Sequence, residues 1–141
     1  MLNTDIEKEF EGCKLTAYKD IGGVWTIGYG HTRGVKEGDT CTAAQADIWL
    51  LQDLHDALTT VTTAVHVAIN DNELSALVNL VFNIGAKQFN TSTLLRKLNA
   101  GDHAGAALEF IRWNKVKGKV VAGLIRRGIA NTKLFNTVVA T

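Results

Sequence analysis

The sequence predicts an α+β fold, with a small sheet near the N-terminus and a larger helical body after it. Two observations carry this prediction. Residues 14–40 contain short β-prone segments separated by glycines, whereas from Thr42 onward apolar residues recur at the spacing of amphipathic helices. Because 141 residues suffice for one core, we expect a single domain over residues 1–141. Its β lobe would cover about 14–40, and its helical body about 42–136 together with the N-terminal helix.

The first elements are a short helix and a glycine-rich sheet. Ile6 and Phe10 recur at helical spacing and Gly12 offers a stop, which predicts a helix from about Asp5 to Glu11. Three β-prone segments follow, separated by "DIGG" and "GHTRG": Leu15–Tyr18, Val24–Tyr29 and Arg33–Lys36. The glycine pair in "DIGG" indicates a hairpin, so we expect a small antiparallel sheet.

The remaining elements are predicted helices. Thr42 begins a capping pattern, and the apolar face after it extends to Val61. Apolar residues from Leu74 to Phe82 recur at helical spacing and mark a second helix, which Gly85 ends. Three further segments complete the body: "TLLRKLNAG" capped by Ser92, "HAGAALEFIRW" capped by Asp102, and Leu124–Phe135.

The charge is unevenly distributed although the formal net charge is only +1. No acidic residue occurs from Phe110 to Thr141, where seven basic residues lie: Arg112, Lys115, Lys117, Lys119, Arg126, Arg127 and Lys133. This end should present a positive surface to an anionic polymer, an anionic membrane surface or nucleic acid. Nucleic-acid binding would require interleaved aromatic residues, and after Phe110 only Trp113 and Phe135 occur there, so we expect no nucleic-acid partner.

Other classes are disfavoured by what the sequence lacks. No run of about 18 apolar residues could span a bilayer, and "MLNTDIEKEF" does not resemble a signal peptide. The histidines show no ligand spacing, so we expect no metal or cofactor, and His31 should be a structural hydrogen-bonding residue between the lobes. Cys13 and Cys41 permit a disulfide without requiring it, and free thiols are the simpler interpretation.

Two carboxyl groups could form a catalytic pair. Glu11 ends a helix, where the macrodipole opposes ionisation, whereas Asp20 lies on a turn that should be solvated. Cleavage of a glycosidic bond needs such a pair, one group as proton donor and the other as carboxylate. Thr26 follows across the hairpin, where its hydroxyl could hold a water. Spacing alone equally allows structural roles: an ion pair for Glu11, a turn for Asp20 and an edge strand for Thr26.

The spacing of Glu11, Asp20 and Thr26 within "FEGCKLTAYKDIGGVWTIGYGHT" resembles the catalytic signature of the T4-lysozyme-like phage endolysins. The stretch "FNIGAKQFNTSTLLRKLNAGD" resembles the family's cleft-lining block, and "RW" and "GLIRR" resemble its C-terminal block. The resemblance implies a lysozyme-like fold with a cleft between the lobes. It also implies a muramidase that hydrolyses the β-1,4 bond between N-acetylmuramic acid and N-acetylglucosamine in peptidoglycan. Independently of the resemblance, the sequence shows no surplus apolar stripe, so we expect a monomer. Such an enzyme is made in the host cytoplasm and acts in the periplasm, by an export route that the sequence does not show.

The resemblance also implies residue roles. Glu11 would be the general acid, Asp20 would orient or deprotonate the attacking water, and Thr26 would help to hold that water. Three further positions would contact substrate: Gly30, Phe82 and Ser92. Carboxyl groups far enough apart to admit a water imply inversion, and a close pair implies retention. An inactive glycan-binding module and a lytic transglycosylase are the alternative functions.

The chain departs from the family pattern at three positions. The C-terminal pattern G-L-x-x-R-R-x-x-E-x-x-L-F has Gly128 in place of its second arginine and Asn131 in place of its glutamate. We expect altered local packing there more than lost activity. Cys13 is the third departure, since some members are held inactive by a disulfide near the catalytic helix. A Cys13–Cys41 bridge would act on the site, although solitary thiols remain the favoured interpretation.

Overall fold

The structure is a computed structural model that describes residues 2–138. Its contacts divide the chain into two compact units. One unit spans Glu7–Asp56, and the other combines the residues up to Ile6 with those from Ala57 onward. No helix among residues 2–138 is long and apolar enough to cross a membrane.

The Glu7–Asp56 unit contains the sheet. Helix α1 (Asp5–Glu11) leads into strands β1 (Lys14–Lys19) and β2 (Trp25–Gly28), and helix α2 (Ala43–Ala64) begins in this unit. The strands pair antiparallel, as the glycine turn predicts, with Tyr18 opposite Thr26. The helix predicted from Asp5 to Glu11 is confirmed.

The strand predicted at Arg33–Lys36 is wrong, because this segment forms a turn. Gly34 has a φ of +73°, and the amide of Val35 donates to the carbonyl of Thr32. The outer edge of β1 is instead paired with residues 39–41, through hydrogen bonds from Ala17 to Asp39 and from Cys41 to Leu15.

The other unit is helical. Its elements are α3 (Asp71–Ile84), α4 (Ala86–Asn90), α5 (Thr93–Asn99), α6 (His103–Ala107), a 3₁₀ turn (Phe110–Arg112), the hairpin β3–β4 (Lys115–Val116 and Lys119–Val120) and α7 (Ala122–Asn136). The predicted caps are present: the hydroxyl of Ser92 accepts from the amide of Leu95, and the carboxylate of Asp102 accepts from that of Gly105. The single helix predicted after Asp102 is wrong, because α6 ends at Ala107.

A buried polar cluster joins α7 to α3. Asn79 is fully buried, and its side-chain oxygen accepts from Nε of Arg127 at 3.1 Å and from Nδ2 of Asn131 at 2.9 Å. The adjacent Gly128 is tightly packed, since a Cβ there would lie 3.0 Å from Cα of Ile111. Both departures from the family pattern on α7 therefore lie at packed positions, and the expectation of altered local packing stays a prediction.

We expect Asn79→Ala to lower the free energy of unfolding by roughly 2–4 kcal/mol, because two buried donors lose a shared acceptor. Urea unfolding of the variant and the parent measures this difference. Asn83→Ala, at a partly exposed position of the same helix, is the matched control. Equal effects of the two substitutions would contradict the structural importance of the cluster.

A second buried charge lies beside the 3₁₀ turn. The carboxylate of Glu109 is almost fully buried, accepts a hydrogen bond from Nζ of Lys97 at 2.9 Å and forms an ion pair with the guanidinium group of Arg112. The hydrogen bond from Lys97, helped by the positive charge of Arg112, lowers the pKa of Glu109 although burial acts in the opposite direction. The ionised form of Glu109 is therefore stabilised by folding.

Because the folded-state pKa of Glu109 is lowered, its contribution to stability is present at neutral pH and is lost as the pH falls through that pKa. We expect Glu109→Gln to lower Tm at pH 7 and to have a shrinking effect below the usual glutamate value of 4.5. Thermal unfolding across pH 3–7 (roughly the carboxyl titration range) measures this. The exposed Glu37→Gln is the control, and a pH-independent difference for Glu109→Gln would contradict the ionic origin.

Candidate active site

The carboxyl group of Glu11 lies against the backbone of Gly30. Glu11 is the last residue of α1, and Gly12, with a φ of +63°, turns the chain away after it. A Cβ built on Gly30 would lie only 2.7 Å from Oε2 of Glu11 and 3.1 Å from its Cδ. Gly30 also has a φ of +77°, so its position requires glycine for two independent reasons.

The turn that carries Gly30 is fixed by His31. Ile27 and His31 exchange two backbone hydrogen bonds of 2.9 Å, which close the turn around residues 28–30. The His31 ring stacks on Trp49 of α2 at 4.6 Å, and its Nδ1 donates to a carboxylate oxygen of Asp53 at 2.9 Å. His31 is therefore a structural hydrogen-bonding residue, and its partners Trp49 and Asp53 lie in the same Glu7–Asp56 unit.

Asp20 and Thr26 are held at the end of the β1–β2 hairpin. The carboxylate of Asp20 accepts from the amide of Val24 at 2.8 Å, and the Asp20 amide donates to the Val24 carbonyl at 2.9 Å. The buried hydroxyl of Thr26 donates to that same carbonyl at 2.9 Å. Its oxygen still has acceptor capacity, so it could accept a hydrogen bond from a water.

Tyr18 lies within electrostatic range of the two carboxyl groups. It lies opposite Thr26 in the sheet register, near the end of β1 that leads to Asp20. Burial raises the pKa of the Tyr18 phenol, and the negative charges of Glu11 and Asp20 raise it further. Three predicted site residues, Glu11, Asp20 and Thr26, thus lie in the surroundings of this partly buried ring. Sequence reasoning missed Tyr18, although its position two residues before Asp20 was a usable signal.

Phe82 and Ser92 belong to the other unit, and their predicted roles remain predictions. Phe82 is partly exposed on α3. The hydroxyl of Ser92 donates to the carbonyl of Phe89 at 2.7 Å in addition to capping α5. Ser92 also lines an open groove of about 590 Å³ together with Arg96 and Asn99.

Both cysteines are free thiols in the structure. Cys13 is exposed, whereas Cys41 is partly buried with its sulfur 4.0 Å from the carbonyl of Lys14. Burial raises the pKa of the Cys41 thiol, and the nearby Cys13 raises it further. The structure therefore shows neighbouring thiols near Glu11 without a bridge between them.

Comparisons with known proteins agree on one family. The family model for phage lysozyme matches residues 8–131. The chain is 43% identical to an endolysin of Acyrthosiphon pisum secondary endosymbiont phage 1, over 92% of each sequence. It is 41% identical to the SAR-endolysin of Enterobacteria phage P21, over 83% of this chain and 72% of that protein. The fold matches the muramidase domain of SpmX from Asticaccaulis excentricus with a TM-score of 0.89 and 37% identity, covering 96% of this chain and 95% of that one.

We expect Gly30→Ala to destabilise the protein more than Gly34→Ala does. Both glycines have positive φ, which costs an alanine roughly 1–2 kcal/mol. A Cβ at Gly34 meets nothing within 4 Å, whereas at Gly30 it would overlap the carboxyl group of Glu11. Urea unfolding measures both variants.

The Glu11→Ala background tests the origin of the difference. Removing that carboxyl group should bring the cost of Gly30→Ala down to the cost of Gly34→Ala. A cost that does not change in this background would show that the Glu11 contact is not its cause.

Proposed function

The chain belongs to the phage lysozyme family, and from this premise we propose that it is an endolysin with N-acetylmuramidase activity. It would hydrolyse the β-1,4 bond between N-acetylmuramic acid and N-acetylglucosamine in bacterial peptidoglycan, and so lyse the host cell. The observation that carries the proposal is the gathering of Glu11, Asp20 and Thr26 around Tyr18. A lysozyme-type glycosidase needs two carboxyl groups on one site.

In this proposal Glu11 is the general acid. The bond between the sugar C1 and the leaving oxygen breaks as Glu11 transfers its proton to that oxygen. The close contact with Gly30 limits where the carboxyl group can lie. Because no side chain projects from Gly30, the glycan backbone could also approach the site at this point.

Asp20 and Thr26 would bind the attacking water, and Asp20 would accept its proton. Asp20 is exposed and already accepts one amide hydrogen from Val24, which leaves carboxylate lone pairs for a water. The new bond forms between that water and C1, and the water's proton passes to Asp20. Thr26 would hold the water through its hydroxyl oxygen. Direct attack by water on the face opposite the leaving group inverts the configuration at C1.

The substrate contacts that we assign to the helical unit are based on the positions of two residues in the family's sequence motif. We propose that Phe82 and Ser92 contact the glycan, Ser92 from the wall of its open groove. The site of action would be the cell wall.

We expect Glu11→Gln and Asp20→Asn each to reduce lysis of outer-membrane-stripped cells by roughly 10²–10⁴-fold, the range for loss of one acid–base group. The readout is the fall in turbidity, together with mass spectrometry of the released muropeptides. Glu9→Gln, exposed on the same helix as Glu11, is the matched control and should retain parental activity.

The released ends distinguish the alternatives. Reducing N-acetylmuramic acid ends would support hydrolysis, whereas anhydro ends would reassign the protein as a lytic transglycosylase. An inactive parent that still binds isolated cell walls would support a glycan-binding module instead. Parental lysis by Glu11→Gln would remove Glu11 from the mechanism.

A further inference from the structure

Four of the large apolar side chains that are exposed on the C-terminal part of the helical unit belong to the 3₁₀ region and to α7. We call Leu108, Ile111, Ile125 and Ile129 the apolar strip. Their exposed fractions are 69%, 47%, 37% and 56% in that order. Side chains of this size are normally covered, and exposed clusters of them mark interaction surfaces. The proposed glycosidase chemistry uses none of the four.

The packing of α7 places Ile125 and Ile129 on one side of that helix. The 3₁₀ turn rests on Gly128, whose Cα faces Ile111, and Thr132 donates to the carbonyl of Ala107. The neighbouring face, carrying Arg127 and Asn131, is buried against Asn79. Ile125 and Ile129 are one helical turn apart on the remaining, solvent side. The backbone of Ile111 packs against Gly128, whereas Ile111 as a residue is exposed, so its side chain points to solvent.

Exposed basic residues lie along the chain between and next to the residues of the strip. The hairpin β3–β4 connects the 3₁₀ turn to the start of α7 and exposes Lys115, Lys117 and Lys119. Arg126 is exposed beside Ile125. Glu109 is the one acidic residue among residues 108–138, and its buried carboxylate is already paired with Lys97 and Arg112. No exposed negative charge within this segment offsets the lysines.

We propose that this basic and apolar surface docks on a phospholipid bilayer with anionic headgroups. Lysines and arginines are attracted to such headgroups, while exposed isoleucines and leucine can enter the boundary between headgroups and acyl chains. A hydrated anionic polymer of the wall would satisfy the charges but would leave the strip facing water. The combination of both chemistries therefore favours lipid. Binding is peripheral and reversible, and it weakens with salt.

The test is co-sedimentation of the full chain with phosphatidylcholine vesicles, with and without about 30% phosphatidylglycerol, which supplies the negative surface potential. The parent should bind only the anionic vesicles. The pair Lys115→Gln and Lys119→Gln should weaken binding about 25-fold, at about fivefold per lost charge. The pair Ile125→Ser and Ile129→Ser should weaken it about tenfold.

Matched pairs in the other unit provide the controls. Lys14→Gln with Lys36→Gln removes two exposed charges, and Ile48→Ser with Leu51→Ser removes two exposed apolar groups. Both should bind like the parent, and Tm reports that each variant is folded. Equal binding to neutral vesicles, or equal losses in test and control pairs, would overturn the proposal. Co-sedimentation with isolated cell walls is measured in parallel. The proposal would also be overturned if the test pairs lost binding to the cell walls but not to the anionic vesicles. None of these readouts depends on glycosidase activity.

Discussion

The contact between the Glu11 carboxyl group and Gly30 is the constraint on which the candidate site depends. A side chain at position 30 would occupy the space of that carboxyl group, so the turn must present bare backbone at one point. The turn stays there because His31, the next residue, is stacked on Trp49 and hydrogen-bonded to Asp53 of α2. A residue with no proposed chemical role thus determines where the acid can lie.

The second carboxyl group is positioned by different means. Asp20 and Thr26 both bond to the backbone of Val24, so the hairpin itself sets their separation along the chain. Such hydrogen bonds form within one turn and need no distant partner. Glu11 sits at a helix end against Gly30, whereas Asp20 is exposed on a turn, and these unlike surroundings suit an acid and a carboxylate with different roles.

Sequence reasoning succeeded where the signal is local. The bounds of α1, the buried face of α2 and the caps at Ser92 and Asp102 follow from spacing and hydrogen-bonding side chains within a few residues. It failed where contacts with residues distant in the sequence determine the local structure. The segment after Ala107 tightens into a 3₁₀ turn that rests on Gly128, and the edge of β1 pairs with residues 39–41. The β3–β4 hairpin went unpredicted because its two-residue strands are too short to show alternation.

The burial of one face of α7 against Asn79 determines which other face of the helix is exposed. Arg127 and Asn131 cannot be buried without an acceptor, and Asn79 provides one, so the face that carries them must turn toward α3. Gly128 then allows the 3₁₀ turn to approach closely on the adjoining side. With two directions occupied, Ile125 and Ile129 are left facing solvent beside the lysines of the hairpin. The exposure of Ile125 and Ile129 is therefore a consequence of how the polar core is satisfied, and α7 could not bury them by rotating without breaking the Asn79 cluster.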